Sequence, residues 1–200
     1  MGEIIKVGLM LMLVAVIAAI ALGYVNSVTS PIIAEQKEQA KLDAMIDVAG
    51  SLAPGELTFD SLSVPELANP YAAVDETFAV VSVTDSAGTE LGYLFVAYGK
   101  GYSSTVQTMI AVDTEGSVTG NTVLYQQETP GLGANVSNPD KFLYQFNGLD
   151  ASALLLSKDG GDLDSITGST ITSRAVTESV RDGLYALSEA GILPSEGGVL

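Results

Sequence analysis

Glu128-Thr129-Pro130-Gly131-Leu132-Gly133 and Asp164-Ser165-Ile166-Thr167-Gly168-Ser169-Thr170-Ile171-Thr172-Ser173 are the two stretches able to do chemistry. In the second, Ser165, Thr167, Ser169, Thr170, Thr172 and Ser173 surround Gly168 with no basic residue among them. An amphipathic helix is predicted from Ser173 to Glu189, with Val176, Val180, Leu184 and Leu187 at helical spacing. A hydroxyl-rich stretch before a helix suits two tasks. One is capping the helix. The other is holding a phosphate, because a helix start offers unpaired N–H groups and a partial positive charge. For a phosphate, Gly168 removes a crowding Cβ, and Thr167, Ser169 and Thr172 are candidate donors. Thr170 is the residue placed to carry the group, with Arg174 just inside the helix. In the first stretch, two glycines permit close approach of backbone to a ligand.

The rest of the chain offers little other chemistry. It has no Cys and no His. Disulfides, thiolate metal sites, iron–sulfur ligation, a Ser-His-Asp triad and a haem axial histidine are therefore excluded. Redox chemistry needs an organic cofactor. No histidine can activate Thr170 as a nucleophile, so a separate enzyme must form any phosphoester there. The net charge of −16, from 24 acidic and 8 basic residues, excludes a nucleic-acid surface.

The elements that must position these segments follow a membrane anchor. Val7 to Val25 carries no charge and makes roughly 28 Å of helix, close to a hydrocarbon core. Ala19-Ile20-Ala21 has the look of a signal cleavage site. The run, however, exceeds a signal h-region of about 7–15 residues, so it is read as an uncleaved anchor. Lys6 precedes it, while Lys37 and Lys41 beyond it are mixed with Glu35 and Glu38. That balance gives a cytoplasmic N-terminus and an outer domain. A helix is predicted over Ile33–Ala49, closed by Gly50. Residues 51–70 hold three prolines and read as a connector. Strands are predicted near Phe78–Val83, Leu91–Tyr98, Thr105–Val112 and Ser117–Tyr125, with short turns that imply an antiparallel meander. Gly99-Lys100-Gly101-Tyr102 reads as a glycine-rich loop whose Tyr98 and Tyr102 are candidates to stack on a flat ring. The expected class is α+β: one transmembrane helix, then an antiparallel sheet with flanking helices. The divisions are residues 1–26 (anchor), 27–70 (helix and connector) and 71–200 (extracytoplasmic domain).

With these motifs in hand, the chain resembles the RnfG family, the membrane-anchored flavin subunits of the Rnf-type ion-translocating electron-transport complexes. It is similar, at greater distance, to the NqrC family of the sodium-pumping NADH:quinone reductase. The likeness covers the anchor, the loop Glu128–Gly133 and the segment Asp164–Thr170, where Ser169 stands in place of the usual Ala. It implies an FMN-binding domain, with FMN joined through its phosphate to the Thr170 oxygen by a Mg²⁺-dependent flavin transferase that uses FAD. It also implies that Glu128, Thr129, Leu132 and Gly133 lie near the flavin, and that Asp164 serves the transferase or shapes the loop. The partners implied are the other subunits of the complex and the membrane. The competing expectation is an anchored extracytoplasmic binding module without a redox cofactor.

Overall fold

The computed structural model describes residues 2–62 and 80–194. The chain divides into two compact units, Met1–Leu42 and Asp43–Leu200. The first consists of helix α1 (Gly2–Ala49), whose last residues belong to the second. Among the described residues α1 is the one helix long and apolar enough to cross a membrane, with a mean hydropathy of 2.7 in its best window. It runs through Pro31 without a break, where the sequence suggested a new helix near Ile33. A proline removes one backbone donor. Here the turn before it is reinforced by Thr29, whose hydroxyl donates to the Val25 carbonyl at 2.9 Å.

The second unit is built on five antiparallel strands in sequential order: β1 (Leu57–Leu62), β2 (Val80–Asp85), β3 (Glu90–Lys100), β4 (Thr105–Asp113) and β5 (Val118–Tyr125). The meander is as expected. Strand β1 is a correction: it lies inside the stretch read as a connector and pairs with β2 from Leu57↔Asp85 to Leu62↔Val80. Prolines flank it at Pro54 and Pro65, and these masked the alternation of Leu57, Phe59 and the exposed Thr58 and Asp60. Residues 51–62 are thus part of the folded unit and give no flexible tether. The remainder of the expected connector, and Phe78 and Ala79 of the strand predicted over Phe78–Val83, lie outside the described residues.

Both faces of the sheet are covered. Val83, Leu94 and Ala111 pack with Val48 and Ala49 at the end of α1. Phe95, Val106, Ile110 and Val112 pack with Val176, Val180, Leu184 and Leu187 of helix α2 (Thr170–Glu189). Strand β3 is central, and both its faces are buried, which explains its unbroken apolar run Tyr93–Ala97. Helix α2 lies close to it because of Gly99. A Cβ there would sit 2.2 Å from the Ala175 carbonyl oxygen. Gly99 and Lys100 pair with Val106 and Thr105 and so close strand β3, where the sequence suggested a loop.

Helix α2 starts at Thr170 rather than Ser173. Thr170, Ile171 and Thr172 have modest helix propensity, which hid the first turn. They are held helical from outside, chiefly by the bond from the Thr172 hydroxyl to Glu128. Between β5 and α2 the chain makes three short 3-10 turns: Gly133–Ser137, Leu143–Phe146 and Ser157–Asp159. The second is pinned to the core by Phe142 and Phe146, whose rings meet edge-on at 5.3 Å.

Candidate cofactor site

The two stretches singled out in the sequence meet in one cleft of about 510 Å³. Its lining comes from the start of α2, the Glu128–Gly133 loop, Tyr102 after β3, and Lys158. Glu128 organises the meeting. Its side chain is buried, at 6% exposure. One oxygen accepts from the backbone N–H groups of Ser103 and Ser104, both at 2.9 Å. The other accepts from Tyr102 N–H at 3.3 Å and from the Thr172 hydroxyl at 2.8 Å. Burial pushes the Glu128 pKa up. The donors from Ser103, Thr172, Ser104 and Tyr102 outweigh it and hold the carboxyl below its ordinary 4.5. This carboxylate faces inward and is saturated with donors. Its socket is closed by Gly101 and Gly133, where an added Cβ would lie 2.6 and 2.7 Å from the carboxylate oxygens.

The hydroxyls at the helix start are also committed inward. Ser169 donates to the Thr172 oxygen at 3.0 Å, and Thr172 donates to Glu128. Ser173 donates to the Ser169 carbonyl and accepts from Ile166 N–H, both at 3.0 Å, folding the preceding turn onto the helix. Ser169 and Thr172 line the cleft, yet their hydroxyls are not the free phosphate donors the sequence suggested. Thr167 is exposed and stands outside the lining. Ser169, the N-cap, makes no side-chain bond to the first turn, whose N–H groups have no intrahelical partner.

Thr170 is the first helical residue, half-buried, with its hydroxyl toward the cleft. Here sequence reading missed a residue. The Lys158 ammonium donates to Thr170 Oγ1 at 2.7 Å. The decapeptide holds no basic residue, but the fold supplies one from twelve positions upstream. Only the tertiary path of the 157–163 loop makes this contact, so no local signal announces it. Gln145 was also missed. Its amide accepts from Asp164 N–H at 2.8 Å and donates to the Asp164 carbonyl at 3.2 Å, fixing the loop and leaving the Asp164 carboxylate exposed. Asp164 and Tyr98 do not line the cleft.

The rim is apolar. Tyr102 is 74% exposed, Ile171 53% and Leu132 44%. Gly168 takes φ +76°, a left-handed turn favouring glycine, and a Cβ there would come 3.1 Å from the Leu132 side chain. The Leu132 loop itself is braced by Leu132 and Ala134 N–H groups donating to the Thr129 carbonyl, at 3.1 and 3.2 Å. The Lys158 ammonium, the first turn of α2 and an apolar rim in one cleft suit a phosphate joined to a flat ring. The cleft size falls within the range of about 300–1,000 Å³ typical of ligand sites.

Residues 101–185 match the family model of the FMN-binding domain, and residues 1–48 match that of the RnfG N-terminal region. The G subunit of the Na(+)-translocating ferredoxin:NAD(+) oxidoreductase complex of Acetobacterium woodii is 34% identical over 184 residues, covering 88% of this chain and 87% of its own. The chain belongs to the RnfG family of ion-translocating oxidoreductase subunits. A second member of this family, from Shewanella baltica, is 30% identical over 193 residues, covering 92% of this chain and 89% of its own. Among solved structures, the NqrC-type subunit of the Na(+)-translocating NADH-quinone reductase of Parabacteroides distasonis superposes with a TM-score of 0.50 at 25% identity, over 72% of this chain and 79% of that one. The α+β class with an N-terminal apolar helix is thereby established, as is the family resemblance read from the motifs.

Proposed function

We propose that this RnfG-family protein is an electron carrier whose FMN is joined by a phosphoester to Oγ1 of Thr170. The observation that carries the reading is the contact of Lys158 Nζ with that oxygen at the start of α2. In this reading the Lys158 charge and the first-turn N–H groups face the phosphate, while Tyr102, Leu132 and Ile171 give the ring an apolar surface. Glu128 holds these parts together and offers no free charge to the ring. When bound, FMN supplies the one- and two-electron chemistry.

Attachment requires the Thr170 hydroxyl to displace AMP from FAD. The Thr170 oxygen forms a bond to the FMN-side phosphorus, the pyrophosphate P–O bond breaks, AMP keeps the bridging oxygen, and the hydroxyl proton leaves to a base. Lys158 donates to Oγ1 and so cannot be that base in this state. A flavin transferase supplies it. The helix α1 anchors the chain in the membrane, N-terminus inside and the FMN domain on the outer face. Val7–Val25 contains no Asp, Glu, Lys or Arg, so ion movement belongs to partner subunits.

The test uses the full chain produced with its transferase. Flavin fluorescence that stays with the protein band after denaturation, and is lost in Thr170→Val, is the expected result. Fluorescence retained in Thr170→Val rejects the attachment residue. A coloured protein that loses its flavin on denaturation makes the binding non-covalent, and a colourless one makes the chain a binding module.

A further inference from the structure

Lys158 and Glu128 are the charged side chains in the cleft lining. Glu128 is locked by its donors, whereas Lys158 sits exposed in the turn Ser157–Asp159, which buries no side chain of its own. On the chain side, the turn is fastened by Ser157 N–H donating to the Leu163 carbonyl at 2.8 Å and by the bridge of Leu156 with Leu163. On the side of helix α2, the fastening is a fork. Arg174 donates from Nε to one Asp159 oxygen at 2.8 Å and from Nη2 to the other at 2.6 Å.

Two features make this pair more than a surface contact. Arg174 lies four residues after Thr170, on the same face of α2, so the fork draws the turn onto the face that carries Thr170 Oγ1. Asp159 is also the chain neighbour of Lys158, so fixing its carboxylate fixes the backbone that carries the ammonium. The bidentate geometry fixes direction as well as charge. The attraction to Arg174 accordingly lowers the Asp159 pKa.

We infer that Asp159 and Arg174 are a positioning pair, which holds the Lys158 ammonium on Thr170 Oγ1. The inference rests on the reading of Thr170 as the attachment residue. Neither partner touches the cofactor; both act through Lys158.

The test measures the initial rate of fluorescent labelling of the full chain by its transferase with FAD. Lys158→Met is expected to slow labelling about ten-fold, and Arg174→Gln to slow it roughly five- to ten-fold by releasing Lys158. In the Lys158→Met background, Arg174→Gln should add nothing further, because its effect passes through Lys158. The exchange Asp159→Arg with Arg174→Asp should restore the rate to within about three-fold, and Arg174→Lys, which cannot form the fork, should fall between. A second readout needs no flavin. Acetylation of Lys158 in the unlabelled protein, followed by peptide mass, should accelerate in Arg174→Gln and in Asp159→Asn. Additive slowing in the double variant, or a wild-type rate in Arg174→Gln, overturns the pair while the attachment site stands. Absence of label in the wild type, or its persistence in Thr170→Val, overturns the attachment reading itself.

Discussion

The Thr172 hydroxyl donates to Oε2 of Glu128 at 2.8 Å, joining positions 44 residues apart. That bond ties the first turn of α2 to a carboxylate which also gathers the N–H groups of Tyr102, Ser103 and Ser104. Three parts of the cleft wall depend on one side chain. Glu128→Gln places an amide donor where donors already converge, and it is expected to cost about 1–3 kcal/mol. The folded pKa of Glu128 lies below 4.5. Its stabilisation is therefore complete above the unfolded pKa and is lost as pH falls through the folded value. Thermal unfolding of the wild type should drop steeply below about pH 4.5, and Glu128→Gln should flatten that part of the curve. Parallel curves for the two proteins would show that Glu128 is not the titrating group.

How far the sequence discloses this arrangement depends on the range of each interaction. The meander was legible because β2 to β5 are local, with turns at Asp85–Gly88 and Asp113–Gly116 that carry their own signals. The anchor was legible from hydropathy alone. Strand β1 was not, because its pairing with β2 spans residues distant in sequence and prolines flank it. The cleft residues Glu128, Thr129, Leu132, Gly133 and Thr170 were named from a motif, yet the motif says nothing about which atoms face the ligand. Residue types alone suggested that Ser169 and Thr172 donate to phosphate, whereas the Thr172 hydroxyl donates to Glu128 and that of Ser169 donates to Thr172. Lys158 and its partners Asp159 and Arg174 have no local signature, since nothing in either segment specifies that they meet.

Ser169 tests that distinction. Its hydroxyl feeds Thr172 and does not cap the helix. Ser169→Ala removes one buried hydrogen bond while Thr172 still satisfies Glu128. Stability should change by no more than about 1 kcal/mol, and flavin labelling should proceed at the wild-type rate. A large fall in labelling with an unchanged melting curve would place the Ser169 hydroxyl on the phosphate after all.

Gly99 bears on the position of the whole helix. Its missing Cβ leaves room for the Ala175 carbonyl, which a methyl group would approach to 2.2 Å. Because the obstacle is backbone within α2, relief requires the helix to move off β3. Gly99→Ala should destabilise the domain by about 1–3 kcal/mol and lower the melting temperature by roughly 2–4 °C per kcal/mol. Since Ala175 lies in the same helix as Thr170 and Arg174, labelling should slow as well. A variant that melts like the wild type would mean that α2 is not seated against β3 at Gly99.

Membrane orientation can be settled with the same chain, because it contains no cysteine of its own. Ser86 is exposed in the turn between β2 and β3, and Glu3 precedes the apolar run. Ser86→Cys and Glu3→Cys each introduce a single thiol, so any label reports one position. With the N-terminus inside, a membrane-impermeant maleimide added to intact spheroplasts should modify Ser86→Cys within minutes and Glu3→Cys only after the membrane is opened. The basic groups argue for this sense, with Lys6 and the amino terminus on one side and Lys37 and Lys41 interleaved with Glu35 and Glu38 on the other. The reverse pattern would put the domain in the cytoplasm. It would also overturn the proposed placement of the flavin on the outer face.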